Sequence, residues 1–143
     1  MSTLENHENT RAYHHGDLRN TLIQLGTVML LESGEAALSL RKLAQRAGVS
    51  HNAPYQHFAD KDALIAAIAE EGFRILGTAI DKNLTASDSQ QVAEARLMAV
   101  GRAYVDFALA HPAHLQVMFS AFPSAQYPSL VQQSTQTLAR LVA

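Results

Sequence analysis

Apolar residues recur along this chain at three- and four-residue intervals, the spacing that gathers side chains on one face of an α-helix. The first stripe is Leu18, Leu22, Leu25 and Met29, widened by Ile23 and Leu30. Asp17 stands where an N-cap or first-turn acid belongs, and Gly34 where a helix stops. A short second helix is predicted over residues 40 to about 47, capped by Ser39, with Leu40, Leu43, Ala44 and Ala47 inward. Gly48 follows, suited to a left-handed turn. Ser50 then caps a predicted third helix reaching about Phe58. Pro54 lies inside it. Counted from Ser50, its ring faces a residue not yet helical, so a distorted first turn is expected rather than a break.

Asp60 caps a fourth helix through Leu64, Ile65, Ile68, Phe73, Ile75, Leu76 and Ile80, ending near Leu84. Residues 85–90 are polar and read as a linker. A long helix over residues 91–110 carries Leu97, Val100, Tyr104 and Phe107 on one face, and His111-Pro112 ends it. A short helix over residues 113–119, a loop containing Pro123 and Pro128, and a last helix from Leu130 capped by Ser129 complete the chain. No segment alternates as a strand does, and no repeat is present. The expected class is all-α. Its parts are a flexible polar arm (residues 1–13), a helix-turn-helix unit (14–60) and a helical regulatory domain (61–143), with the fourth helix connecting the last two.

Charge changes the picture locally. The net charge of −2 argues against a generic polyanion binder. Yet no Asp or Glu stands between Glu35 and Asp60, where Arg41, Lys42, Arg46, His51 and His57 fall. At 48% hydrophobic and 17% charged residues the chain has material for a core. It has no cysteine, which excludes disulfides, thiolate metal sites and a cysteine nucleophile. No signal-peptide core and no bilayer-length apolar run is present, so a cytoplasmic protein without membrane contact is expected. Glycine-rich phosphate loops, nucleophile elbows and paired catalytic acids are missing, which argues against an enzyme. His111 and His114 are three apart, but Pro112 interrupts them and no carboxylate lies at ligating spacing beside them. Neither a metal nor a cofactor is expected.

The stretch from Ser39 to Ser50 has the chemistry of a helix-turn-helix. Ala44 and Ala47 let two helices approach, Gly48 makes the turn, and Leu43 and Val49 fill the space beneath. The next helix can then enter a major groove with its first residues, Ser50, His51, Asn52 and Ala53, against base edges. Arg41, Tyr55, His57 and Lys61 flank it as phosphate contacts. Arg11, His14 and His15 in the arm suit a minor groove or phosphate. Each of these residues alone is equally an ordinary solvated side chain on a helical bundle; the constellation together favours double-stranded DNA.

The run Ser39-Leu-Arg-Lys-Leu-Ala-Gln-Arg-Ala-Gly-Val-Ser50, then His51-Asn-Ala-Pro-Tyr-Gln-His-Phe58 and Asp60-Lys-Asp-Ala-Leu64, resembles the N-terminal domain of the TetR family of bacterial regulators. Tyr13-His-His-Gly-Asp-Leu-Arg19 and Gly101-Arg-Ala-Tyr-Val-Asp-Phe-Ala-Leu-Ala-His-Pro112 are similar to the subgroup with a WHG-type C-terminal domain. The resemblance implies a homodimer on a palindromic operator, acting as a repressor released by a small-molecule effector. It carries phosphate contact onto Tyr55, His57 and Lys61, and base proximity onto residues 50–53. Pro54 and Ala63 depart from the family pattern, Ala63 where an acid often completes the cap of the fourth helix. Such proteins usually run longer, so a truncated C-terminal end is expected. Met98, Tyr104, Phe107, Met118, Phe119 and Phe122 are candidates to line an effector cavity, with Tyr104, His111 or His114 as polar handles. The plainer reading of that stripe is ordinary core. The alternative function is DNA binding or DNA organisation without an effector.

Overall fold

The computed structural model describes residues 5–85, 93–120, 122 and 125–142. Among them are six α-helices, one fewer than the sequence predicts, and no strand, as the hydrophobic period predicts. They are α1 (Glu5–Ser33), α2 (Leu40–Ala47), α3 (Lys61–Thr85), α4 (Ala93–Ala110), α5 (Pro112–Met118) and α6 (Pro128–Val142). Single 3-10 turns stand at Glu35–Ala37 and Pro54–Gln56. The chain divides into two compact units, Met1–Leu64 and Ile65–Ala143.

In the first unit, α1 begins well before Asp17. Residues 5–13, expected to be an arm, are its opening turns. No Gly or Pro precedes Gly16, so nothing in this stretch breaks a helix. Asp17 is therefore interior, and accepts a hydrogen bond from Asn20 Nδ2 at 3.2 Å. The contacts expected of Arg11, His14 and His15 lie outside the described side chains. Gly34 ends the helix at φ 76°, its N–H donating to the Leu30 carbonyl at 2.9 Å. Leu22, Leu30 and Leu43 are almost wholly buried in this unit, with Leu38, Leu40 and Ala44. Each such leucine contributes about 1.5–3 kcal/mol by leaving water.

In the second unit, α3 turns Ile68, Phe73, Leu76 and Ile80 inward. The buried stripe of α4 is Val100, Ala103 and Phe107, rather than the predicted Leu97, Val100, Tyr104 and Phe107. Leu97 and Tyr104 flank Val100 on its far side and are exposed. Ala103, buried to 1% exposure, takes their place. Pro112 opens α5, as its fixed φ and missing N–H suit a first helical position. Pro128 does the same for α6, so Ser129 lies inside the first turn instead of capping it. Its hydroxyl donates to Glu70 Oε1 at 2.6 Å. Further along, Thr137 Oγ1 donates to the Phe73 carbonyl at 2.8 Å and Arg140 Nε to Asp81 Oδ1 at 2.9 Å, so α6 follows α3 in the same sense. The predicted linker falls almost entirely outside the described residues.

Candidate nucleic-acid interface

The turn between α2 and the following segment is built as its sequence predicts. Ser39 Oγ accepts from the Lys42 N–H at 3.1 Å, capping α2. Gly48 sits at φ 69° and ψ 30°, the left-handed region. Its N–H donates to the Gln45 carbonyl at 3.2 Å and that of Val49 to the Ala44 carbonyl at 3.1 Å. These two bonds are a Schellman closure, which satisfies the last carbonyls of α2 and turns the chain sharply. Leu43 and Ala44 are fully buried beneath it.

The third element departs from its prediction. Residues 51–57 form no α-helix; they coil through turns and one 3-10 turn. The N–H groups of Ala53, Tyr55, Gln56 and His57 donate to the carbonyls three residues back, at 3.0–3.2 Å. Pro54 is the cause. It supplies no N–H, and at the opening of a 3-10 turn none is needed. Both His57 and Phe58 donate to its carbonyl instead. The proline ring is almost wholly buried and Phe58 is 2% exposed, so this pair anchors the segment by its inner side. Ser50 contributes its carbonyl, to the Ala53 N–H, and not the expected side-chain cap.

That anchoring decides what faces outward. Ser50, His51 and Asn52 are exposed, as is Tyr55, while Ala53 and His57 are half-buried. Arg41 is exposed in the first turn of α2, and Lys61 is half-buried at the start of α3. Asp60 Oδ1 accepts from the Ala63 N–H at 2.8 Å, which caps α3 without an acid at position 63. Arg46 leaves the basic set: both its terminal nitrogens bind the Glu32 carboxylate. That hydrogen bond holds the Glu32 carboxyl below its ordinary value. Arg19 was not predicted to matter here. Its guanidinium lies 5.5 Å from the Phe58 ring centre, a cation–π contact between residues too far apart in sequence for any local signal to reveal.

The second unit holds a cavity of about 250 Å³ between α3, α5 and α6. Of the six residues predicted to line one, Met118, Phe119 and Phe122 do so. Phe107 is buried elsewhere, its ring stacked 5.2 Å from His111. Met98 and Tyr104 are exposed on α4. The remaining wall comes from Phe73, Leu130, Val131 and Leu138, with Ser120 and Ser134. Neither His111 nor His114 lines it. His114 Nε2 instead bonds Glu71 Oε2 at 2.9 Å, and burial pushes the His111 imidazole below its ordinary pKa, with His114 adding to the effect and Glu71 opposing it. Among the described residues no group of three His, Cys, Asp or Glu side chains is placed to hold a metal ion, and no helix is long and apolar enough to cross a membrane.

Comparison with known proteins agrees with this architecture. Residues 22–68 match the family described as bacterial regulatory proteins, tetR family. Residues 97–143 match a tetracyclin repressor-like C-terminal domain. The HTH-type transcriptional repressor Rv3405c of Mycobacterium tuberculosis is 32% identical over 81 residues, 57% of this chain and 41% of that protein. The tetracycline repressor protein class A from transposon 1721 of Escherichia coli is 47% identical over 51 residues, 36% of this chain and 24% of that one. A solved structure of a protein of unknown function from Rhodococcus sp. RHA1 superposes with a TM-score of 0.76 at 40% identity, covering 89% of this chain and 65% of that chain. The matched part is thus less than half the length of these curated relatives. The N-terminal match spans α2, its Schellman turn and the Pro54–Phe58 anchor, the C-terminal match spans α5 and α6, and the chain belongs to the TetR family of bacterial regulatory proteins.

Proposed function

We propose that this chain is a DNA-binding transcriptional repressor that works in the cytoplasm as a homodimer on a palindromic operator. Residues 14–60 serve as the reading head and 61–143 as the regulatory domain. Ser50, His51, Asn52 and Ala53 meet base edges, while Arg41, Tyr55, His57 and Lys61 meet phosphates. A small molecule bound in the second unit releases the DNA, by preferring a dimer whose reading heads no longer match successive major grooves. The observation that carries this reading is the outward presentation of residues 50–52 and 55 by the buried Pro54–Phe58 pair, with Glu32 engaged by Arg46 and Asp60 by the Ala63 N–H. No catalysis is assigned to the chain.

Selection of bound duplexes from a random pool tests it, and a palindrome with half-sites about one helical turn apart is the expected product. Lys61→Ala should then weaken binding alike on selected and random DNA and lower the salt slope by about one. Asn52→Ala should lose about 1–3 kcal/mol of discrimination at particular positions. Identical behaviour of the two variants on both DNAs refutes the assigned roles.

A further inference from the structure

We propose that the α3–α5–α6 cavity takes an uncharged, predominantly apolar ligand of about two to three rings, and that His114, which does not touch that ligand, positions the cavity wall through Glu71. The proposal rests on the reading of the second unit as effector-binding.

The ligand class follows from the lining. Phe73, Met118, Phe119 and Leu138 are apolar, and among the described residues no ionisable side chain lines the cavity. The two hydroxyls present are those of Ser120 and Ser134, and Ser134 Oγ already donates to the Val131 carbonyl at 3.0 Å. The α3 carboxylates within the second unit are engaged by neighbours: Glu70 by Ser129, Glu71 by His114 and Arg74, Asp81 by Arg140. An ion held against these residues would meet no countercharge. A neutral ring meets instead the Phe73–Phe119 pair, set edge to face at 5.8 Å between centres.

The role of His114 follows from how short α5 is. Seven residues form it, and they are held to α3 at two points. One is the His114–Glu71 bond, between side chains only 8% and 17% exposed. The other is Gly72. A Cβ there would stand 2.6 Å from Met118 Sδ and 3.0 Å from His114 Cβ, so both side chains rest on this one bare patch of α3. Met118 lies one helical turn beyond His114 on the same face. Where the latch seats His114, it therefore seats Met118 and its neighbour Phe119, which are cavity wall.

The test uses the full chain with two fluorescent probes of one ring skeleton, neutral N-phenylnaphthylamine and its anionic relative anilinonaphthalene sulfonate. The neutral probe should bind saturably, the anion on the order of tenfold or more weakly, and Leu138→Trp should abolish neutral-probe binding by filling the cavity. Equal affinities for the two probes, or indifference to Leu138→Trp, overturns the ligand class. His114→Ala should weaken the neutral probe several-fold, and His114→Gln, which keeps a donor toward Glu71, should restore most of it. Glu71→Gln approaches the same bond from the other side, retains it, and should stay within about twofold of the parent. An unaltered affinity in His114→Ala, or no rescue by glutamine, overturns the positioning role. Release of the selected duplex is read in parallel. Probe selectivity without any change in DNA affinity upholds this inference and defeats effector release; DNA release by the anion alone upholds effector release and defeats this inference.

Discussion

Arg46 grips Glu32 with both terminal nitrogens, at 2.6 and 3.0 Å, tying the last turn of α2 to the last turn of α1. The sequence places Arg46 in an acid-free basic interval, and the fold spends its charge on a carboxylate fourteen residues away. Arg46→Ala should accordingly leave the salt slope of DNA binding unchanged, whereas Arg41→Ala should lower it. Titration of binding against salt for both variants checks this. The Glu32 carboxyl is held below its ordinary value by Arg46, so the pair's small stabilisation is present above the unfolded carboxylate pKa and is lost as pH falls through the lowered folded value. Acid unfolding of Arg46→Ala should show that loss already made.

Gly48 has open space around the position of a Cβ, so its substitution is penalised by backbone conformation alone. Gly48→Ala should cost about 1–2 kcal/mol, and Gly48→Asn less, because asparagine tolerates the left-handed region. Urea unfolding of the two variants measures the difference. Equal stability would mean the Schellman turn relaxes without it.

Gly72 and Gly101 should respond oppositely to alanine. At Gly72 the new methyl meets Met118 and His114 at 3.0 Å or less, and overpacking of this kind costs about 1–3 kcal/mol. At Gly101, on the exposed side of α4, it meets nothing and removes backbone freedom from the unfolded chain, for a gain of about 0.5–1 kcal/mol. Thermal midpoints of the two variants should move in opposite directions.

His111 should make the second unit acid-sensitive. Burial, seconded by His114, lowers its pKa in the folded chain. The unfolded chain therefore takes up a proton first as pH falls below the ordinary histidine value, and stability declines until the lowered folded pKa is reached. His111→Gln should flatten the decline between neutral and mildly acidic pH in a series of unfolding midpoints. A parallel decline in parent and variant would assign it to another group.

Much of the fold was legible because its signals are local. The caps at Ser39 and Asp60, the left-handed Gly48 and the stop at Gly34 each act within a few residues, and each stands where the pattern puts it. The failures have separate causes. A third helix is expected from Ser50 as its cap, but Pro54 converts that segment to turns and a 3-10 turn while burying its ring as an anchor. On α4 the helical period is compatible with two neighbouring faces, and the one that is buried carries Val100, Ala103 and Phe107 and leaves Leu97 and Tyr104 exposed. Helical period alone could not separate Met118 and Phe119, which reach a cavity, from Phe107, which does not.

By itself the sequence determined the helical class, the turn that sets up the reading segment and the chemistry of the residues displayed there. Those follow from spacing, glycine stereochemistry and side-chain capping, which are short-range. Only tertiary structure decided which basic residues keep their charge for a partner, since Arg46 meets Glu32 and Arg19 stacks on Phe58 through folding. It likewise decided that a carboxylate does stand beside His114: Glu71, forty-three residues earlier, is brought to 2.9 Å where α5 packs on Gly72. Contacts at that sequence separation depend on how helices pack, and helix packing is written in no single window of the chain.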